Sequence, residues 1–372
     1  MKNAGLVVLI YLLVSAGAAT ADPADIDYLW DNPDKISVAD EKVAFSHVEY
    51  NHAKNESIFV LVYFNDGWVL MYSLFHLDTA LFDRWGMYAL IAKPDGTHYW
   101  KTSTVSEKEI EILEDHLYYS DGKNFIEAAQ DTLTLRCDFD GFTCDLLFDT
   151  YMPAWKPGTG RENYTKDGEY FQYKAVFIPR SEVRGTIDID GMMINVAGNG
   201  YCEKTLFVNP LTRHQPYLHA LRLYSPFDTP RDEAWHIGIH QVMLNKHFGS
   251  REIPRLVLAK GDEWIFTTRE YTFEPIETGR RDEISYDYGT KFVLHGEKNG
   301  YSLDGIVKER VFFHFTDVFE SLPGWFRKIL SVFFKRPVYF RYVADFSGTV
   351  TAPDGTQYSL EMSGPYEYVV VY

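Results

Sequence analysis

The sequence predicts an all-β protein, and two features support this prediction. The first is a series of short segments rich in β-branched and aromatic residues without internal proline, such as 57–64, 68–75 and 132–137. The second is the recurrence of Asp-Gly pairs, which favour tight hairpin turns, at positions 66, 95, 121, 140, 167, 190, 304 and 354. The first six pairs lie 19 to 29 residues apart, the spacing of an antiparallel meander.

The chain begins with the pattern of a secretion signal. Lys2 supplies a positive charge, residues 6–14 are apolar, and Ala-Thr-Ala at 19–21 matches a small-residue cleavage site. The apolar run is shorter than the roughly 18 residues that a membrane-spanning helix needs. We therefore predict cleavage after Ala21 and a periplasmic or secreted protein. An uncleaved N-terminal anchor is the alternative.

Length and turn spacing together predict two domains. The chain has 372 residues, and a domain commonly has about 100–200. The segment 209–218 contains two prolines and is the best candidate boundary, so we expect domains over 22–212 and 213–372. Each is predicted to be an antiparallel barrel. The net charge of −17 repels nucleic acid, and no nucleic-acid partner is expected.

One segment departs from the β pattern and predicts a short amphipathic helix near 317–336. Apolar residues recur there at helical spacing, and basic residues lie around them. A basic helix of this kind can lie on a membrane surface. The residues that would make this peripheral contact are Trp325, Phe326 and Phe333. The alternative is a helix that covers one barrel mouth.

Two of the three cysteines lie symmetrically about the predicted turn at 140–141. A hairpin there places Cys137 opposite Cys144, within the range of a disulfide. In an oxidising compartment we favour a disulfide over two buried thiols. Cys202 is then unpaired and is expected to be a small buried thiol.

The most informative stretch is 179–206, which reads PRSEVRGTIDIDGMMINVAGNGYCEKTL. The Asp-Gly pair at 190–191 lies between alternating apolar runs and predicts a hairpin. Gly198 and Gly200 break the following run and predict a bulge or a close backbone approach. Tyr201 and Glu203 come next, and their spacing places them on one face of a strand.

This stretch resembles the tandem lipocalin-like superfamily, which includes carotenoid 1,2-hydratases, AttH-like bacterial proteins and survival-factor-1-like proteins. Pro-Ala-Trp at 153–155 and Gly-Pro-Tyr-Glu-Tyr at 364–368 are further points of likeness. The likeness covers most of the chain in layout, and is detailed only in this stretch. It implies two tandem lipocalin-like β-barrels and a hydrophobic ligand.

The resemblance also implies roles for Tyr201 and Glu203, which match the family's usual Gly-Tyr-His-Asp/Glu-His-Asn-Trp. In a hydratase, Glu203 would be the general acid, because burial in a barrel lumen would raise its pKa and keep a proton available. The rings of Tyr201 and Trp235 would face the carbocation.

Three positions of this motif differ from the family. Cys202 and Lys204 replace the two histidines, and Leu206 replaces the tryptophan. These changes remove the imidazoles that would relay a proton. The alternative for Glu203 is an ion pair with Lys204 or a nearby arginine at a barrel rim.

The strand 234–244 supplies a second group of candidates. Alternation places Trp235 on one face, and His236 and His240 on the other. We expect the two histidines to form a polar spot in an apolar barrel cavity, with Trp235, Trp264 and Phe266 as its walls. The alternative is a histidine face that meets solvent.

No metal-ligand spacing, nucleophile elbow or nucleotide-binding loop occurs in the sequence, so no metal and no cofactor is expected. Two hypotheses remain. The first is an exported protein that binds an isoprenoid or lipid in a barrel cavity. The second is a cofactor-independent isoprenoid hydratase or cyclase with Glu203 as acid. The loss of both motif histidines favours the first.

Overall fold

A computed structural model describes residues 43–45, 54–79, 82–156, 160–208, 217–244, 248–280, 287–317 and 337–371. These residues form two curled sheets in which every strand pairing is antiparallel. The all-β class and the tandem lipocalin-like barrels are therefore confirmed. The predicted signal at 1–21, residues 209–216 of the predicted link 209–218, and most of the predicted helix, including Trp325, Phe326 and Phe333, lie outside the described residues. No helix in the described part of the chain is long and apolar enough to span a membrane.

The first sheet has the strand order β4-β3-β2-β1-β12-β11-β9-β8-β7-β6-β5, and β10 pairs with β11. Near its open edge, β4 approaches β8 and curls the sheet into a barrel. Its strands are β1 (Lys54–Phe64), β2 (Val69–Thr79), β3 (Phe82–Ala92), β4 (His98–Val105), β5 (Glu111–Ile112), β6 (Tyr118–Ser120), β7 (Phe125–Ala129), β8 (Thr132–Phe139), β9 (Phe142–Thr150), β10 (Arg161–Asn163), β11 (Phe171–Ile189) and β12 (Met192–Val208).

The second sheet has the order β17-β16-β14-β13-β22-β21-β20-β19-β18, and β15 pairs with β14. Here β17 approaches β19, which curls the sheet in the same way. Its strands are β13 (Tyr217–Tyr224), β14 (Trp235–Met243), β15 (Glu252–Ile253), β16 (Leu256–Lys260), β17 (Glu263–Thr268), β18 (Tyr271–Gly279), β19 (Tyr288–Lys298), β20 (Tyr301–Asp317), β21 (Pro337–Thr351) and β22 (Gln357–Val371).

The predicted hairpin at 190–191 joins β11 to β12. Asp190 and Gly191 both have positive φ, 53° and 84°, as a type I′ turn requires. The expected break after it does not occur, because β12 continues through Gly198 and Gly200. A Cβ on Gly198 would lie 2.3 Å from the carbonyl oxygen of Tyr63, so the missing side chain allows β1 to come close.

Seven of the eight Asp-Gly pairs form turns, and their glycines have φ between 71° and 88°. The pair at 304–305 is the exception and lies inside β20. A Cβ on Gly305 would lie 2.3 Å from the ring of Phe346. This glycine therefore makes room for an aromatic side chain in the barrel core, and the turn prediction is wrong there.

Each barrel interior is filled by buried apolar side chains. Val60, Tyr72 and Phe148 belong to the first core, and Ile237 and Tyr342 belong to the second. Close packing of this kind stabilises each barrel through the burial of apolar surface.

The two cysteines of the β8–β9 hairpin face each other, as the turn predicts, with Cys137 directly opposite Cys144. The structure has both as buried thiols rather than as a disulfide. Burial raises the pKa of Cys137 well above its usual value. A protonated thiol reacts poorly, because the thiolate is the species that forms disulfides.

Thiol counting tests this assignment. With Ellman's reagent we expect little reaction in the native protein, because all three cysteines are buried. After unfolding in urea without reductant, we expect three thiols per chain. A count of one thiol would show that Cys137 and Cys144 are joined.

Candidate functional site

The two sheets pack against each other through their outward faces. A buried apolar cluster joins them, with Leu61, Val69, Met71, Leu90, Ala92 and Tyr201 from the first sheet and Val257, Phe313 and Val343 from the second. Polar contacts also cross this boundary. The Arg180 Nη1 donates to the carbonyl oxygen of Trp235 at 3.0 Å, and the Arg310 Nη2 donates to the hydroxyl of Tyr63.

Beside the apolar cluster, each sheet contributes one cross-strand row of side chains. The row of the first sheet runs over β3, β2, β1 and β12 and contains Tyr88, Ser73, Phe59 and Glu203. The row of the second sheet runs over β14, β13, β22, β21 and β20 and contains His240, Ala220, Glu367, Arg341 and His314. The two rows interact at both ends, through Glu203 with His240 and through Tyr88 with Arg341. We call the region in which these two rows face each other the cleft.

Glu203 lies at one end of the cleft among three donors. The Lys174 Nζ is 2.7 Å from the Glu203 Oε2, and the Arg222 Nη2 is 3.5 Å from the same oxygen. The Tyr201 hydroxyl also donates to Oε2. Lys174 and Arg222 are 1% and 6% exposed, so both cations depend on this carboxylate for neutralisation.

The charge state of Glu203 differs from the prediction. Burial by itself would raise the pKa of this carboxyl, but the ammonium of Lys174 and the guanidinium of Arg222 outweigh burial and lower the pKa to about 2. Glu203 is therefore ionised near neutral pH and holds no proton to donate. The general-acid role predicted for Glu203 needs a raised pKa, and the two neighbouring cations act in the opposite direction.

The alternative interpretation of Glu203 named Lys204 or a nearby arginine as its partner; an arginine is present as Arg222, but Lys204 is not the partner. Lys204 points to the other side of β12 and pairs with the buried carboxylate of Glu56 at 2.9 Å. Adjacent residues of a strand face opposite sides of the sheet. The cations that contact Glu203 come instead from the neighbouring strand β11 and from β13 of the second sheet. The residues next to Glu203 in the sequence therefore do not reveal them.

The ring of Tyr201 is occupied by Arg222, whose guanidinium carbon lies 4.3 Å from the ring centroid. The face of the Tyr201 ring is therefore in contact with a cation of the protein itself. Trp235, the other ring expected to face a carbocation, lies in the core of the second barrel. These two rings do not share one site.

His240 is a partly buried polar group next to Glu203. Its Nδ1 lies 2.9 Å from the Arg255 Nη1, and Arg255 in turn pairs with Glu162. Burial lowers the pKa of His240 well below its usual value, and the nearby charge of Lys174 lowers it further. The imidazole is therefore neutral at physiological pH.

The other end of the cleft is aromatic. The Trp100 ring stacks between Tyr88 and His314, with ring centroids 4.8 and 4.9 Å away. The His314 Nδ1 lies 2.8 Å from the Arg341 Nη1, and Arg341 pairs with Glu367. Burial, with the charge of Arg341, lowers the pKa of His314 to about 2. Trp100 is 37% exposed, so its ring lies partly at the surface of the protein.

The alternation predicted for strand 234–244 is present, but its polar face does not line a barrel lumen. His236 and His240 point toward the first sheet, and Trp235 points into the second barrel. His236 is 3% exposed, which also rules out a solvent-facing position. Its Nδ1 contacts the carbonyl oxygen of Leu223 at 3.1 Å, and burial lowers its pKa to about 3.

Trp264 and Phe266 were predicted as walls of one cavity, and the structure separates them. Phe266 lies in the core of the second barrel, whereas Trp264 packs with the apolar cluster between the sheets. The cause is an irregularity in the pairing of β16 with β17, where Leu258 pairs with Phe266 but its neighbour Ala259 pairs with Trp264. An extra residue in one strand reverses the faces that follow.

Sequence reasoning missed the charged residues that surround Glu203. Each is a lone charge inside an apolar strand segment, as with Lys174 in β11, Arg222 in β13 and Arg341 in β21. Buried charges are rare unless they are paired. A lone cation in an otherwise apolar strand was therefore the available signal. Within the described ranges, no group of His, Cys, Asp and Glu is arranged to hold a metal ion.

Two lipocalin-like barrels packed through their outward faces, with buried charges between them, define the structural class of this protein. No family model and no curated protein matches the sequence. Solved structures do match. An AttH protein of Nitrosomonas europaea is similar over 90% of this chain and 99% of its own, with 13% identity and a TM-score of 0.58.

Two other solved structures are similar. CghA with Sch210972 has 12% identity and a TM-score of 0.58 over 93% of this chain and 99% of its own. Kievitone hydratase from Nectria haematococca has 13% identity and a TM-score of 0.55 over 93% of this chain and 98% of its own. At such identities the likeness shows the fold. It confirms the tandem lipocalin-like fold that the sequence resemblance implies.

Proposed function

We propose that this protein binds a hydrophobic small molecule, an isoprenoid or a lipid, in the cleft between its two sheets. The observation that supports this place best is the pair of facing rows. They combine half-buried aromatic rings, such as Phe59 and Tyr88, with the charged cluster around Glu203. Apolar walls with a few convergent polar groups are typical of small-molecule sites. Both barrel interiors, by contrast, are filled with apolar side chains.

The neighbouring structures support the same proposal. CghA was solved with the small molecule Sch210972, so a protein of this fold can hold such a ligand. Export of this protein is a further part of the proposal, and it rests on the N-terminal sequence pattern alone.

A titration with retinol, a fluorescent isoprenoid alcohol, tests the cleft. We expect saturable binding to the wild-type protein. Ser73 lies between Tyr88 and Phe59 in the first row, and Ser73→Trp would fill the cleft with an indole ring. We expect this variant to bind retinol at least about tenfold more weakly.

The matched control is Thr134→Trp, which adds the same ring on β8 of the first sheet, a strand outside the row that lines the cleft. It should bind retinol as the wild type does, and circular dichroism checks that both variants are folded. Unchanged binding by Ser73→Trp would place the ligand elsewhere.

A second candidate function is an isoprenoid hydratase, which the similarity to kievitone hydratase and the contact of Tyr201 with Glu203 favour. In this geometry the ionised Glu203 would act as the base that takes a proton from the attacking water, and a separate acid would have to protonate the alkene first. Incubation of a prenylated substrate in H₂¹⁸O, followed by mass spectrometry, separates the two candidates. Incorporated label in a product supports the hydratase.

A further inference from the structure

The two carboxylate oxygens of Glu203 have different surroundings. Lys174, Tyr201 and Arg222 all contact Oε2. Among the described residues, none donates a hydrogen bond to Oε1. The side chain is 11% exposed. Three donors on one oxygen hold the carboxylate in place and leave the other oxygen as an acceptor of fixed position.

The tautomer of the adjacent histidine follows from its contact with Arg255. A guanidinium only donates hydrogen bonds, so the His240 Nδ1 must accept from the Arg255 Nη1 at 2.9 Å. The ring proton of the neutral imidazole therefore sits on Nε2. His240 is only partly buried, and it interacts electrostatically with Glu203. Glu203 and His240 thus supply a carboxylate acceptor and an N–H donor at the same end of the cleft.

We infer that the ligand of this cleft carries a hydroxyl group, as an isoprenoid alcohol or phenol does, and that Glu203 and His240 recognise it. A hydroxyl donates one hydrogen bond and accepts others, so it can donate to the Glu203 Oε1 and accept from the His240 Nε2. A ligand carboxylate can satisfy His240, but it would place a second negative charge beside Glu203. This inference rests on the proposed cleft and adds the chemical class of its ligand.

Three probes with one isoprenoid skeleton test the inference on the wild-type protein at pH 7.5. Retinol donates and accepts at its end group, retinyl methyl ether only accepts, and retinoate is an anion. We expect retinol to bind at least about tenfold more tightly than either of the others, because a hydrogen bond to a charged group is worth that much or more.

Two variants then test whether Glu203 causes the preference for retinol. Glu203→Gln keeps the shape of the side chain but removes its charge, and it should bring the affinities for retinol and retinoate within about threefold of each other. Glu361→Gln is the matched control on the exposed face of β22, and it should keep the wild-type preference.

The outcomes separate the two proposals. If none of the three probes binds, the proposed function itself fails. If all bind with equal affinity, or if retinoate binds most tightly, the cleft holds a hydrophobic ligand but the hydroxyl recognition is wrong. If Glu203→Gln does not fold, the comparison of the three probes on the wild-type protein still tests the inference.

Discussion

Replacing Glu203 by alanine is expected to lower the free energy of unfolding by about 3–5 kcal/mol. The change leaves Lys174 and Arg222 buried without the carboxylate that both contact. An uncompensated buried charge costs far more than a lost surface ion pair. Urea unfolding followed by circular dichroism measures the effect.

A matched control and a double-mutant cycle test the cause. Glu361→Ala removes a carboxylate of the same type from the exposed face of β22, where it accepts an exposed hydrogen bond from Ser347, and should lower the free energy of unfolding by less than about 1 kcal/mol. Lys174→Met combined with Glu203→Leu should lower the free energy of unfolding by less than the sum of the two single changes. Each single change leaves the other charge buried and unpaired. Strict additivity would show that Lys174 and Glu203 do not act as a pair.

The stability of the protein is expected to fall as the pH drops from about 4.5 toward 2. Burial by itself would raise the pKa of Glu203, but Lys174 and Arg222 lower it to about 2, from an ordinary value of 4.5. A carboxyl with a lowered pKa in the folded state stabilises that state above the unfolded pKa, and this stabilisation is lost as the pH falls to the folded pKa. The difference corresponds to about 3 kcal/mol.

Comparison with Glu203→Gln isolates this contribution from that of the other carboxyl groups. Urea unfolding of both proteins between pH 6 and pH 3 should show a steeper loss of stability for the wild type. The variant lacks the titrating group, so the gap between the two curves should narrow as the pH falls. Parallel curves would mean that the pKa of Glu203 is close to its ordinary value.

Much of the fold follows from short sequence patterns. The hairpin at 190–191 and the facing positions of Cys137 and Cys144 were predictable because a turn and the strands beside it depend on residues close in sequence. The pair at 304–305 shows the limit. Its glycine lies inside a strand because the ring of Phe346, more than forty positions later in the chain, needs the space.

The candidate site was predictable only in part. Tyr201 and Glu203 were found from a motif, and their shared face follows from strand alternation. The partners of Glu203 were not found, because Lys174 and Arg222 lie on other strands and meet it only when the sheets pack. Trp264 and Phe266 were misplaced because a pairing irregularity reverses the face of one of them.

By itself, the sequence determined the β class, most of the hairpin turns and the alternation of side chains within each strand. These properties arise from interactions between near neighbours along the chain. Only the tertiary structure decided that the two barrels meet through their outward faces, and that Lys174 and Arg222 surround Glu203 and lower its pKa. The physical reason is that the pKa of a buried carboxyl depends on the cations packed around it, and here those cations come from distant strands.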